Sequence, residues 1–418
     1  MLKYILKGGR LYVINRERLE KHIEELSQIG MQSSGGINRF PFTDEEKRAN
    51  EIIKQYMEEA GLTVSFDAVG NVVGERKGTE EKAPIVIGSH IDTVPHGGKY
   101  DGALGVLAAI EVAHTLKERG VQLTSPLKVV SFKDEEGTRF GFGLLGSRAM
   151  TGILKHKELE ERDDQGISIK EAMLEYGFDP EKIQEARVNE IAAYLELHIE
   201  QGKVLENENA PVGIVTGIYG PSWAEVTVTG LSEHAGATPM PIRQDALVAA
   251  SEMILQVERI ALQYKDAVAT VGKLQVKPNG VNVIPGEVTF SLDIRDLDNE
   301  RCAKIVAEIK EMIQEVSEKR HVQSEIRTLQ TVSSVQTDAS IQKAIQETIE
   351  SKGLHPISLV SGAVHDAMNF AGVCPFGMIF VRSKDGISHN PLEFTSMDDC
   401  EIATEVLYET LLRLDERV

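Results

Sequence analysis

An α/β fold carrying a second, inserted domain is predicted by three observations. Strand-like and helix-like segments alternate through the first half of the chain, the order that builds a parallel sheet covered by helices. Ile85 to Val94 is almost continuously apolar, as a strand buried on both faces should be. After Gly213 the pattern changes to half-buried alternation, which predicts a separate α+β unit between two parts of the first domain.

Taken in order, helices are expected over Leu19 to Gly30 and Asp44 to Ala60, the second stopped by Gly61. The Ile85 to Val94 strand leads into a helix over Gly105 to Arg119, where Leu107, Ile110, Ala113, His114 and Leu116 share one face. His114 therefore reads as a packing residue. Further strands are expected at Leu127 to Phe132 and over the run from Ala193 to Gly202. In the inserted stretch Ala224, Val226 and Val228 alternate with Glu225, Thr227 and Thr229. A helix over Asp245 to Tyr264, strands at Ala267 to Leu274 and Val288 to Ile294, and a helix over Glu300 to Lys319 follow, a β-α-β-β-α-β-like order giving one sheet under two helices. Helix Ala339 to Ser351 and strand Cys374 to Val381 then return to the first domain.

With 418 residues the chain can bury two cores. Its 45 basic and 65 acidic residues leave a net charge of -20, which argues against nucleic acid or an anionic membrane as the main partner. An anionic substrate would need a local cation. The three cysteines, Cys302, Cys374 and Cys400, are too few and scattered for a disulfide framework or a thiolate metal site, and fit a reducing cytoplasm. Residues 1–10 are broken by charge before a signal-peptide core can form and read as a loose extension. No run reaches the roughly 18 apolar residues of a membrane span.

The chemistry is concentrated where apolar runs end. Ser89-His90-Ile91-Asp92 closes one run, and Asp101-Gly102 follows on a glycine-rich loop. On a strand His90 and Asp92 point the same way, so Asp92 can accept a hydrogen bond from the ring nitrogen that does not face a metal. Asp134-Glu135-Glu136-Gly137 follows the next strand, where adjacent glutamates diverge and one can bind metal while the other stays free to move a proton. His198 lies in Glu196-Leu197-His198-Ile199-Glu200-Gln201-Gly202, and His389 in Ser388-His389-Asn390. Singly, each has a bland reading: a packed histidine, a solvated strand end, a turn. Their co-occurrence at strand ends is hard to obtain by chance, and nitrogen and oxygen donors of this kind suit zinc, manganese, cobalt or nickel.

These motifs, together with His234-Ala235-Gly236-Ala237-Thr238-Pro239-Met240, resemble the amidase/hydantoinase/carbamoylase branch of the M20 metallopeptidase family, in the family's order over nearly the whole chain. The resemblance implies an α/β catalytic domain with a mostly parallel sheet, residues 1–215 and 331–418, and an α+β lid that makes a homodimer, residues 216–330. It implies two divalent metal ions, bridged by Asp101, with His90 and His198 on one and Glu136 and His389 on the other. Glu135 becomes the general base and Asp92 the residue that orients His90. His234 would stabilise the oxyanion from the partner subunit. Asn282, Gln201 and the turn at Gly362 would line the substrate pocket, and Arg295 would grip an α-carboxylate, against the plainer reading of a surface salt bridge to Asp293 or Asp296. His96 matches no ligand position and reads as loop decoration. A cis peptide at Asp101-Gly102 is also implied.

The expected activity is hydrolysis of N-carbamoyl-L-amino acids to the amino acid, ammonia and carbon dioxide. Allantoate or β-ureido acids are the alternative substrates, with Ala237 standing where an Asn is expected in many allantoate enzymes. A metal-binding scaffold without catalysis is disfavoured, since it has no use for a free Glu135.

Overall fold

A computed structural model describes residues 13–417 and, as backbone only, a hairpin of Leu6–Lys7 with Arg10–Leu11. The loose extension expected over residues 1–10 otherwise lies outside the described residues. The chain divides into two compact units, residues 1–216 with 337–418, and residues 217–336.

The first unit is built on a nine-stranded sheet. Its centre is parallel, in the spatial order Phe376–Val381, Ala193–Ile199, Ile85–His90 and Leu127–Phe132. Every residue of Ile85–His90, Ala193–Ile199 and Phe376–Val381 is buried, so even Glu196 and His198, which alternate with Leu195, Leu197 and Ile199, face the interior. Outside this centre the pairing turns antiparallel, through Val72–Arg76 and Thr63–Phe66 on one side and Val212–Ile218 on the other. Helix Ala103–Glu118 lies against the sheet and is buried almost all round. Gly105 permits that approach, because a Cβ there would lie 2.2 Å from the carbonyl oxygen of Leu197. Helices Arg16–Ser27 and Met397–Asp415 cover it. His114 is buried on this helix and faces His22 with ring centroids 6.3 Å apart, the packing role expected of it.

The second unit is a five-stranded antiparallel sheet in the order Val268–Thr270, Glu287–Arg295, Ser222–Thr229 and Gln323–Thr331, with Leu274–Lys277 also beside Glu287–Arg295. The stretch expected as one strand over Ala267 to Leu274 is thus two short strands on a common neighbour. Val288, Phe290, Leu292 and Ile294 are buried while their alternates are half-exposed, so one face of the sheet forms a core. Helices Ala246–Ala261 and Asn299–Arg320 pack on that face, each opened by an aspartate, Asp245 or Asp298, whose carboxylate accepts backbone N–H groups of the first turn. The Gln323–Thr331 strand carries this unit past residue 330. Among the described residues no helix is long and apolar enough to cross a membrane.

Candidate metal centre

The parallel order of the central strands determines where the site forms. Three parallel strands, Ile85–His90, Leu127–Phe132 and Ala193–Ile199, finish at the same sheet edge, so His90, Glu135, Glu136 and His198 are delivered side by side. Asp101 reaches them from the loop before helix Ala103–Glu118, and His389 from the loop after strand Phe376–Val381. The two oxygens of Asp101 face different partners. Oδ1 lies 3.2 Å from His198 Nε2 and 3.7 Å from His90 Nε2, while Oδ2 lies 3.3 Å from His389 Nε2. His389 Nε2 is in turn 3.6 Å from Glu136 Oε1. Two donor groups share Asp101, His90 with Asp101 and His198, and Asp101 with Glu136 and His389, each compact enough for one cation; His90 with Glu135 and Glu136, and Glu196 with His198 and His365, are equally compact.

The histidines are anchored through the ring nitrogen that turns away. His90 Nδ1 lies 3.2 Å from the carbonyl of Asp92 and 3.4 Å from its carboxylate. His198 Nδ1 lies 3.0 Å from the carbonyl of Ile199, and its Nε2 accepts the N–H of Gly102 at 3.2 Å. With Nδ1 turned to a backbone carbonyl, Nε2 is the ring nitrogen of His198 that faces Asp101. Gly102 has φ +62, and a Cβ on it would meet the His90 ring at 2.4 Å. The expected cis bond at Asp101-Gly102 is absent: the cis peptide present among the described residues is Lys277-Pro278. The turn into helix Ala103–Glu118 is made by the positive φ of Gly102 instead.

Glu135 is buried beside these groups, with Oε2 3.7 Å from His90 Nε2. Burial pushes its carboxyl well above the usual range, opposed by His90 and aided by Glu136. Burial and the neighbouring Asp101 push Glu136 up to about 7. Asp101 moves the other way, since hydrogen bonds with His198 and His389 outweigh its burial and hold it well below the carboxylate range. Asp92, Asp101, Asp134, Glu135, Glu196 and Asp366 are all buried. Carboxylates at this density are costly without positive charge, and nitrogen and oxygen donors around a central carboxylate fit divalent cations. The residues present therefore suit the group that the sequence implied. The three cysteines are unpaired and none belongs to either donor group.

Gln201 also joins the centre. Its φ is +57, and Nε2 donates to Asp101 Oδ2 at 2.8 Å. Gly362 is exposed on the turn before His365, whose Nε2 lies 2.8 Å from Ser361 Oγ. His96 is held at the surface by Ser34 Oγ, 3.0 Å from its Nδ1.

His234, Asn282 and Arg295 all belong to the second unit. His234 and Asn282 are exposed and lie on paired loops, where the N–H of Ala235 donates to the carbonyl of Asn282 at 3.0 Å. His234 Nδ1 accepts from the N–H groups of Gly236 and Ala237, at 3.1 and 3.2 Å, so the neutral ring carries its proton on Nε2. Arg295 sits on the polar face of its strand with both fork positions on Asp293, at 2.9 and 2.7 Å. That pairing is the salt bridge of its plainer reading.

Sequence reasoning assigned no role to two carboxylates that brace residues of the donor groups. Glu196 accepts from Ser89 Oγ at 2.9 Å, Tyr194 Oη at 3.0 Å and the N–H of Ala367 at 2.9 Å, joining the strands that carry His90 and His198. Its position two residues before His198, on the same face of the strand, was the available signal. Glu393 has no comparable signal, being one acid in a polar loop.

Such a centre at the strand ends of an α/β unit is the mark of metal-dependent hydrolases. The chain belongs to peptidase family M20/M25/M40, whose pattern matches residues 86–413. It is 46% identical over 405 residues to an N-carbamoyl-L-amino acid amidohydrolase of Geobacillus stearothermophilus, covering 96% of this chain and 99% of that one. An allantoate amidohydrolase of Bacillus subtilis is 38% identical, covering 96% and 98%. Among solved structures, a hydantoinase/carbamoylase family amidase from Burkholderia multivorans superposes with a TM-score of 0.92 at 35% identity, covering 96% of this chain and 98% of that one.

Proposed function

We propose that the chain hydrolyses the carbamoyl C–N bond of N-carbamoyl-L-amino acids, releasing the L-amino acid, ammonia and carbon dioxide. The observation that carries this reading is the shared carboxylate of Asp101 between two donor groups, with Glu135 buried alongside. The 46% identity to the Geobacillus stearothermophilus amidohydrolase supports the choice of substrate. His90 and His198 would hold one divalent cation and Glu136 and His389 the other, with zinc, manganese, cobalt and nickel all suited to the donors. Bound there, the cations polarise a carbonyl and make water a better nucleophile at neutral pH.

The chain's own residues do the rest. Glu135 takes a proton from the attacking water and returns it to the leaving nitrogen. His234, with its proton on Nε2, donates to the oxygen on which charge develops, reaching across a homodimer. Arg295 receives the α-carboxylate on a guanidinium plane that Asp293 already holds, while Gln201, Asn282 and Gly362 line the remaining pocket. The dimer is assigned to residues 217–336, where Val248, Leu255 and Leu262 recur every seventh residue as an exposed apolar stripe. Unpaired cysteines suit a cytoplasmic location.

The test is ammonia release by chelated enzyme, with each metal restored in turn, from N-carbamoyl-L-amino acids, allantoate and N-carbamoyl-β-alanine. Turnover of the first group above the others supports the reading. Preference for allantoate would move the assignment to the Bacillus subtilis type of relative, preference for N-carbamoyl-β-alanine would move it to β-ureido acids, and no ammonia from any of the three with any metal would overturn it.

A further inference from the structure

We infer that Glu393 is a positioning residue that clamps the loop of Asp101 to the loop of His389, so that one carboxylate holds in register two ligands almost three hundred residues apart in sequence. The inference rests on reading the centre as a metal site. Glu393 is 4% exposed. Its Oε1 accepts the N–H of Tyr100 at 2.8 Å and the N–H of Asp101 at 3.0 Å, fixing the backbone from which the shared ligand projects. Its Oε2 lies 2.8 Å from Ser388 Oγ, and the same hydroxyl lies 2.7 Å from Asp101 Oδ2. Ser388 precedes His389, so the clamp reaches the second ligand through its immediate neighbour. The turn carrying Glu393 is closed by its own N–H on the carbonyl of Asn390 at 3.0 Å. The ring of Phe394 meets Tyr100 edge-on at 6.2 Å and ties the loops a second time.

Gly98 shows how closely the two loops are fitted. Its φ is not in the left-handed region, so backbone freedom does not explain the glycine. Space does: a Cβ there would lie 2.1 Å from Glu393 Oε1 and 2.2 Å from its Cδ. Gly98→Ala must therefore displace the clamp while leaving its carboxylate in the chain.

Metal-free protein titrated with cobalt(II), followed by visible d–d absorption and by competition with a chelator, tests this directly. Glu393→Ala should weaken one of the two cation sites about 10–100-fold and alter its spectrum, the size of effect seen when residues supporting metal ligands are lost. The melting temperature of the metal-free protein should stay near that of the wild type. Glu393→Gln keeps an acceptor for the two N–H groups and a polar partner for Ser388, and should bind close to wild type. Gly98→Ala should weaken the same site, and Gly98→Ala combined with Glu393→Gly should be no worse than Glu393→Gly alone, because the Glu393 Cβ would itself lie 2.5 Å from the added methyl group and only removal of the whole side chain makes the room. Wild-type affinity in Glu393→Ala, or additive losses in the pair, would overturn the clamp. Should Glu393→Ala fail to fold, unchanged cobalt affinity in Gly98→Ala would overturn it equally. Wild-type protein that binds no cobalt at all would instead overturn the metal centre, and the clamp with it.

Discussion

Asp92 receives the backbone N–H of Glu136 on Oδ2 at 3.0 Å while its Oδ1 receives that of Glu135 at 3.2 Å. The same carboxylate stands 3.4 Å from His90 Nδ1, so one side chain sets both the His90 ring and the peptide that carries Glu135 and Glu136. This explains why a residue that reaches neither donor group is needed beside them.

Asp92→Asn should therefore be damaging although it is nearly isosteric. An amide has one acceptor oxygen, and its NH₂ must face either a backbone N–H or the N–H of His90. A fall of about 10–100-fold in metal affinity or kcat/KM is expected. Unchanged values in steady-state assays with metal titration would remove the proposed role.

Glu135→Gln should keep fold and metal content but lose about 10²–10⁴-fold in kcat, because the amide cannot accept a proton. Metal analysis alongside kinetics decides the matter. Near-normal turnover at full occupancy would show that another group is the base.

Just before these glutamates, Lys133 Nζ lies 2.7 Å from Glu46 Oε1, both side chains almost wholly buried and the ammonium 4.8 Å from the Phe42 ring. Removing one partner leaves a bare buried charge. Lys133→Met should cost about 3–5 kcal/mol in chemical denaturation. Adding Glu46→Gln, which keeps an acceptor for the N–H of Phe42, should recover part of it. No recovery would mean that packing, not the stranded carboxylate, was lost.

His22 and His114 provide a pH-dependent stability. Burial lowers each to about 4 from 6.5, and neither His22 Nδ1 nor His114 Nε2 has a hydrogen-bond partner. The folded-state value lies below the unfolded one, so between pH 6.5 and 4 the unfolded chain binds more protons. Their contribution is complete above pH 6.5 and is lost as pH falls toward 4. His114→Leu should reduce the acid-dependent loss by on the order of 1–3 kcal/mol over that window. Parallel stability curves for variant and wild type would contradict this.

How much of this was legible follows from what each residue type signals. His90, Asp101, Glu136 and His198 stood out through their co-occurrence, since each alone reads as packing, a turn or a solvated strand end, and the parallel order of the strands brings them together. The helix Met397–Asp415 was not recognised: it buries Asp399, Glu401, Thr404, Glu405 and Thr410 beside its apolar residues, so its polar positions do not mark an outer face. Glu196 and Glu393 act through hydrogen bonds between distant segments, which no local spacing encodes. For Arg295, sequence offered both a substrate and Asp293 as partner, and the pairing with Asp293 is a contact of folded neighbours two residues apart on one strand face. The cis bond expected at Asp101-Gly102 came from family likeness alone, and the positive φ of Gly102 provides the turn without it.

The last prediction concerns the exposed His234. If its Nε2 proton serves the partner subunit's site, homodimers of His234→Ala and homodimers of Glu135→Gln should each be nearly inactive. Mixing them under conditions of subunit exchange then creates heterodimers in which one site keeps Glu135 in its own chain and receives an intact His234 from the other. Activity should return toward the level set by one working site per heterodimer, about a quarter of the wild-type rate per chain after random exchange if the two sites act independently. The control is the double variant carrying both changes in one chain, mixed with wild type, where no new complementary site arises beyond the wild-type share. Recovery absent from verified heterodimers would place His234 in its own chain's site or in the support of the 234–238 turn, and the reading of a site shared between subunits would have to be given up.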